Sequence, residues 1–429
     1  LARAIRIPYG KGHLTFTPPK GVRVDLLESK KIRGIKNPAK ALREALARPL
    51  CGTSLPEISR GKKSACIVTS DITRPVPNAL ILSEVLPVLE LSGIPRSKTT
   101  ILVGTGTHRP ASPAEIKTLV GREIAARYRV VNHDCRRGNV KAGALRDSLT
   151  GSRIALQVDR VYVEADLKIV TGLVEPHIFC GYSGGRKAIL PGISGLSSIR
   201  KWHGPEIVAH PKSTPGVVQG NVAHGLTVRA AHIVGADFAV NVTLNRERDV
   251  TGVFAGGIEA VFAAAVKFVE GYVVTQPIEP AKVVVTSGAG FPLDRTFYQA
   301  IKGLVAVLPV LAEDSIVVLA AKMDEGLGDA LFSSLVRGTK DVIRWSKSIK
   351  SGRKWQVGQW QWQRMGWTRA KARVFLVSEL SQADARAGFT EPLADLQTAV
   401  DEAVRQTGAD RMIVVPEGPY VVTRAIHPS

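Results

Sequence analysis

Short apolar runs rich in β-branched residues recur along the chain, separated by stretches of helical character. In the first part, Cys66-Ile67-Val68-Thr69, Thr100-Ile101-Leu102-Val103, Arg129-Val130-Val131 and Leu167–Gly172 each have the length and composition of a strand. Asn78–Leu91 and Pro113–Leu119 lie between them and read as helices. The last part repeats the pattern with Lys282–Val285, Ser315–Leu319, Val374–Val377 and Met412–Val415. Ile258–Val269 reads as a helix and Gln276-Pro277-Ile278-Glu279-Pro280 as a linker. Alternation of this kind predicts an α/β chain built as two mixed α/β domains. The first spans 1–272 and the second 280–429, with the last residues free to return to the first domain. No apolar run reaches the roughly 18 to 20 residues that a membrane helix needs, and no signal-peptide pattern opens the sequence.

The polar residues that interrupt this pattern cluster just after strands. Ser70-Asp71-Ile72-Thr73-Arg74-Pro75 follows one, Gly104–Pro110 with His108 follows the next, and Glu175-Pro176-His177 follows a third. In the second part, Ser287–Asp294 follows a strand and leads to Tyr298, Gln299 and Lys302. Ligands of open α/β sheets bind beyond the carboxyl ends of strands, so the expected site is a cleft between the two domains. The densest chemistry lies in Glu175–His203, which holds two histidines and a glycine-rich turn, Gly181-Tyr182-Ser183-Gly184-Gly185-Arg186-Lys187. Such a turn can bring backbone N–H groups to an anion. It is not a Walker A loop, because Arg186 precedes the lysine and Ala188 follows it. Each residue also has a structural reading. Gly104-x-Gly106 suits a tight turn, Asp71 suits a turn cap, and His210, His224 and His232 suit hydrogen-bonded structural roles. Their joint occurrence after successive strands favours a site.

Charge adds a competing possibility. The 429 residues carry a formal net charge of +21, and much of the excess falls between Arg337 and Arg373 with Trp345, Trp355, Trp360, Trp362 and Trp367. Basic residues interleaved with aromatics can bind single strands, but no recognised nucleic-acid module accompanies them. A basic surface helix whose tryptophans pack on a core is the favoured reading. The four cysteines form no CxxC pair and no disulfide framework, which predicts a reduced, cytoplasmic protein.

The stretches SDITRPVP at 70–77, GTHRP at 106–110, EPHIFCGYSGGRKAILPG at 175–192, WHG at 202–204 and PLDRTFYQAIKG at 292–303 run nearly the length of the chain. GQWQ at 358–361 adds a weaker match. In this order they resemble the lactate racemase family, whose members use the nickel-pincer nucleotide. The resemblance implies that Lys187 tethers the nucleotide covalently through a thioamide and that His203 completes a square-planar Ni(II) site. It implies His108 and His177 as the acid/base pair, and Arg74, Gln299 and Lys302 as substrate ligands. Tyr298 would shape the pocket, while Asp71, Ser183, Gly184, Gly185 and Trp360 would lie around the cofactor. Proteins that synthesise the cofactor are implied partners. No membrane partner is expected.

Such chemistry suits a 2-hydroxy acid. Removing a proton from Cα would build charge on an anion, whereas removing hydride gives a planar 2-keto acid. One histidine takes the hydroxyl proton, and return of hydride to the opposite face inverts the centre. The chain departs from the family pattern at Ile72, at Arg295 and across 321–328, which leaves the acid/base positions intact but puts lactate itself in doubt. The expectation is a racemase or 2-epimerase of a 2-hydroxy acid, lactate-like or larger. A nucleotide-dependent oxidoreductase and a basic single-strand nucleic-acid-binding protein stand as alternatives.

Overall fold

The computed structural model describes residues 3–147, 149, 151, 153–349 and 355–426. They form two compact units, one from the segments up to Lys30 and from Tyr272 onward, the other Lys31–Gly271.

In chain order the first segment supplies a hairpin, β1 (Ile5–Tyr9) and β2 (Gly12–Phe16), and then β3 (Arg23–Leu26). Lys31–Gly271 follows with β4 (Ala65–Ser70), β5 (Thr99–Gly104), β6 (Arg129–Asn132), a β7–β8 hairpin (Asn139–Arg146 and Arg153–Asp159) and β9 (Leu167–Leu173). A two-residue pair, β10 (Pro176–His177) and β11 (Gly181–Tyr182), precedes β12 (Phe238–Leu244) and β13 (Val250–Gly256). The main sheet of this unit has the order β13-β12-β9-β4-β5-β6. All of its pairings are parallel except β12 with β13. From β4 the chain winds one way through β5 and β6, and later the other way through β9 and β12. The order therefore reverses between β4 and β9. Buried helices cover the sheet, which explains why its strands are apolar on both faces. The helix Asn78–Leu91 follows β4, and Pro113–Val120 follows β5 behind a Ser112/Glu115 capping box with proline at its first position.

The second sheet contains β14 (Ala281–Ser287), β15 (Leu311–Ala320), β16 (Ala372–Val377), β17 (Glu391–Pro392) and β18 (Arg411–Val415). Its order is β17-β16-β15-β14-β18-β3, and every pairing is parallel. Here the reversal lies between β14 and β18. The β3 pairing corrects the expectation that the first domain begins at residue 1. Arg-Val-Asp-Leu is too short and polar to announce a strand, but it hydrogen-bonds along β18, and Arg411 grips Asp25 at 2.5 Å. The expectation that the last residues return to the first domain also fails. Val422 and Ala425 bridge to Val274 and Ile278 within the same unit. The Gln276–Pro280 segment lies between the helix Ile258–Val273 and β14, as the sequence predicts.

No helix among the described residues is long and apolar enough to cross a membrane. The four cysteines are unpaired.

Candidate active site

The loops that leave β4, β5 and β9 carry most of the predicted site residues of the Lys31–Gly271 unit. Asp71 follows β4 directly, and its side chain folds back to accept from the Thr73 backbone N–H at 3.1 Å and the Thr73 hydroxyl at 2.6 Å. Its other oxygen lies 2.6 Å from Nδ1 of His108, which sits on the loop after β5. Burial pushes the Asp71 carboxyl up. The His108 ring beside it, its hydrogen bond, the Thr73 hydroxyl and Arg74 outweigh that push and hold the group down at about 2. Asp71 is thus an ionised acceptor, and the ring nitrogen facing it is a donor. Arg74, three residues on, pairs through Nε with Glu175 at 3.3 Å.

The loop after β9 turns through β10 and β11. His177 accepts there from the backbone N–H groups of Cys180 at 3.1 Å and Phe179 at 3.4 Å through Nδ1. The glycine-rich turn follows. Gly184 has φ +80, and a Cβ on it would stand 2.7 Å from the Val174 side chain. The backbone amides of this turn do not all face outward as the anion-cradle reading expected. Ser183 N–H bonds to the Glu175 carbonyl, Gly185 N–H to the Asn241 side chain, and Lys187 N–H to the Gly184 carbonyl. The Ser183 hydroxyl is engaged by the Leu173 carbonyl at 2.8 Å and by the Glu175 amide at 3.1 Å. The turn is therefore a support that aims its two cations in different directions.

Arg186 points into the unit. Its guanidinium stacks 3.5 Å from the centre of the Phe262 ring and reaches Glu259 and His224 Nδ1, each at 3.2 Å. Only 1% of the residue is exposed, so burial lowers its pKa despite Glu259. Burial, followed by the Arg186 charge, pushes His224 down to about 4. His224 is thus structural, as expected. Lys187 points the other way, with Nζ 4.6 Å from the centre of the Trp202 ring. Burial lowers its pKa to about 8; Cys180 and Glu175 oppose the shift and Arg74 adds to it.

Trp202 and His203 end the helix Leu196–Trp202. Trp202 is fully buried, its indole N–H donating to the Ala223 carbonyl at 2.9 Å. Its ring centre lies 4.6 Å from His203, 4.7 Å from Phe179 and 6.2 Å from His177. The Nδ1 of His203 lies 3.1 Å from the Ile199 carbonyl, so it carries the hydrogen and Nε2 keeps its lone pair. Burial, then the charges of Lys187 and His108, hold this ring down at about 3 although the Ile199 bond favours the charged form. Trp202 thus gathers an amine, a neutral imidazole and the neighbourhood of His177.

The other unit holds the remaining predicted residues. The helix Phe297–Val307 starts at a Thr296 cap. Tyr298 and Lys302 are four residues apart on it, which places them on one face, with Gln299 beside them. The Tyr298 ring lies 5.1 Å from Phe332 and 6.4 Å from Trp360, and its carbonyl accepts from the Gln361 side chain at 3.1 Å. The helix Gln359–Lys371 is buried along nearly its whole length, Gln359, Gln361, Gln363 and Arg364 included. Trp360 and Trp362 are buried, and Trp345, Trp355 and Trp367 are partly buried. These tryptophans pack against the protein, as the structural reading of the basic run expects. Lys350–Lys354, part of that run, lies outside the described residues. Arg295 pairs with Glu325 at 2.7 Å and with Asp324 at 3.6 Å, so two of the departures from the family pattern are coupled to each other.

Comparison with known proteins identifies the family. The lactate racemase N-terminal domain matches residues 9–216 and the lactate racemase C-terminal domain matches 276–423. A lactate racemase from Thermoanaerobacterium thermosaccharolyticum is 31% identical over 98% of this chain and 99% of its own length. The chain belongs to the lactate racemase family. A second lactate racemase, from Lactiplantibacillus plantarum, is 31% identical over 89% of this chain and 90% of its own. Both relatives carry the name of an isomerase. Among solved structures, the lactate racemase apoprotein of T. thermosaccharolyticum superposes with a TM-score of 0.90 at 30% identity, over 98% of this chain and 100% of that one. A Thermotoga maritima protein shares the fold with a TM-score of 0.66 at 18% identity, over 90% and 97% of the two chains.

Several residues without an assigned role support the site. Glu175 and Trp202 lie inside quoted motifs, and only their contacts reveal what they do. Asn241, Glu259 and Phe262 lie on distant elements and bear no motif. His133 is buried between Asp159, at 2.8 Å from Nδ1, and the Ser194 carbonyl, at 3.0 Å from Nε2. Its own carbonyl accepts from the Thr105 hydroxyl at 2.7 Å, so it ties the His108 loop to the segment after Lys187.

Proposed function

We propose that this chain is a nickel-pincer nucleotide-dependent racemase or 2-epimerase of a 2-hydroxy acid, acting through a 2-keto acid. The observation that carries this reading is the pair of groups sharing Trp202. An amine with a pKa lowered to about 8 is partly unprotonated near neutral pH and so nucleophilic, which suits a lysine that becomes acylated. An imidazole kept neutral, with Nδ1 bonded to a carbonyl and Nε2 carrying no hydrogen, suits a fourth ligand of Ni(II). Lys187 would hold the nucleotide and His203 the metal, with Asp71, Ser183, Gly184, Gly185 and Trp360 around them. Once bound, this group would supply a hydride acceptor that no side chain offers.

The chain's own residues would do the remaining work. Arg74 and Lys302 would hold the substrate carboxylate, Gln299 would bond the substrate and Tyr298 would shape the pocket. His108, kept in one tautomer by Asp71, would take the hydroxyl proton of one enantiomer, and His177 would serve the other. A medium of low polarity would strengthen the Arg74–carboxylate pair. Ile72, Arg295 and 321–328 make a substrate larger than lactate part of the proposal. We place the protein in the cytoplasm, with cofactor-synthesis proteins as partners.

Intact-mass and nickel analysis of the chain made together with those partners tests the reading. An added mass that vanishes in Lys187→Ala, together with racemisation of a 2-hydroxy acid, is expected. An adduct that persists in the variant would overturn the tether, and a wild-type chain carrying NAD without nickel would favour the oxidoreductase.

A further inference from the structure

The two catalytic histidines are not held alike. Asp71 is ionised, so it can only accept, and the His108 nitrogen 2.6 Å from it must carry hydrogen. The neutral ring therefore keeps a bare Nε2. When Nε2 takes a proton the ring becomes imidazolium, and its Nδ1–H stays on Asp71 throughout. His108 passes between its two working forms without breaking a bond.

His177 is built the other way. The chain turns sharply after β10, and the His177 side chain caps the turn by accepting the amide N–H groups of Cys180 and Phe179 at Nδ1. A nitrogen that accepts from N–H groups carries no hydrogen, so the ring proton sits on Nε2. In that form Nε2 can donate a hydrogen bond to an oxygen but has no lone pair with which to take a proton. Giving up its proton would leave an imidazolate. Both forms able to exchange a proton at Nε2, the neutral ring with Nε2 bare and the imidazolium, need hydrogen on Nδ1. That hydrogen would point at two backbone donors.

We infer that the Phe179 and Cys180 amides latch His177 in the Nε2–H tautomer, so that His108 is ready for proton transfer while His177 must first release its latch. This rests on the reading that these two histidines exchange the substrate's hydroxyl proton. One enantiomer then reacts directly, and the other waits for the turn at 177–180 to open. Losing the bond to Cys180 leaves a backbone N–H to be satisfied elsewhere, which makes the second path slower by on the order of tenfold.

The test is nitrogen-15 imidazole NMR of the full chain, prepared without cofactor and assigned with His108→Gln and His177→Gln. The expected spectrum has His108 protonated at Nδ1 and His177 protonated at Nε2. A His177 signal with hydrogen on Nδ1, or averaged between both nitrogens, overturns the inference. Single-turnover keto-acid formation by the cofactor-loaded wild type gives an independent arm. Unequal rates for the two enantiomers are expected, and equal rates overturn the latch. If the NMR result holds but the loaded enzyme racemises no 2-hydroxy acid, the proposed function falls and the tautomer assignment stands.

Discussion

The two sheets share a plan. In each, the chain winds outward from one central strand, returns to its other side, and leaves loops at the reversal, between β4 and β9 in one unit and between β14 and β18 in the other. The chemistry at the two reversals differs. The first carries Asp71, Lys187 and His203 with shifted proton affinities, the last two packed on Trp202. After β14, Asp294 is fully buried and binds backbone, accepting from Gly10 N–H at 2.7 Å and Lys322 N–H at 3.1 Å. The predicted ligands of that unit lie on the next helix, among aromatic rings and buried amides. The comparison teaches that winding order says where reactive groups can collect, while the residues on the loops decide whether they do. It also shows what supporting a charged turn takes. Arg186 is buried among Phe262, Glu259 and His224, and so anchors the turn from which Lys187 projects.

If the first unit carries the chemistry and the second recognition, substitutions should separate them. The largest effect is expected for His203→Ala, because the native ring has its hydrogen on Nδ1 and its lone pair on Nε2. Turnover and nickel should both be lost while the Lys187 adduct keeps its mass, because tether and metal bond are separate attachments. Retained nickel and activity would make His203 a mere helix end. Next, His108→Ala and His177→Ala should each lower steady-state racemisation in both directions by about 10²–10⁴-fold. Rapid-quench analysis should show that each variant still forms some keto acid from a different enantiomer; the same preference in both would break the opposed-pair assignment. In the second unit, Lys302→Ala should leave the adduct and nickel content unchanged. It should raise KM on the order of tenfold to a hundredfold, as expected for losing a bond to a charged group. An equal fall in kcat with no change in KM would erase the contrast between the units.

The smallest effect is on acid stability. His224 is held down at about 4 in the folded chain, against about 6.5 for a free histidine. Below about pH 6.5 the unfolded chain binds a proton that the folded one refuses, so stability falls as pH drops from there to about 4. His203, at about 3, acts in the same direction over a wider window. Thermal unfolding of the wild type and His224→Gln at pH 7.5 and pH 5 checks this. The variant should lose less on acidification, and identical losses would count against the buried neutral ring.

Much of this was legible in the sequence. The strand cores at 66–69, 100–103, 167–172, 282–285, 315–319 and 412–415 all lie in strands, because centrally placed parallel strands are apolar on both faces. The helix Asn78–Leu91 has the predicted bounds. Asp71, Arg74, His108 and His177 were legible as candidates because they follow strands, and Lys187 and His203 because they stand in the glycine-rich turn and at the end of the segment that follows it. What escaped notice was set by partners far along the chain. The short polar β3 is a strand only because β18 offers it an edge. No local pattern distinguishes an amide aimed at a ligand from the Gly185 amide, which is claimed by Asn241. The Arg337–Arg373 charge is conspicuous in composition, yet the tryptophans within it are buried or partly buried.

The β3–β18 pairing also bears on how the chain is made. Residues 23–26 leave the ribosome long before residues 411–415, with which they must align. Lys31–Gly271 is continuous and can condense as soon as it emerges, while the segment before it has no sheet to join. The nascent chain thus carries β3 unpaired through most of translation. Its second unit closes around a loop of nearly four hundred residues, a slow step by its length alone. Moving residues 3–30 to follow residue 426 would convert that distant encounter into a local one. The rearranged chain should acquire its last strand sooner after synthesis ends.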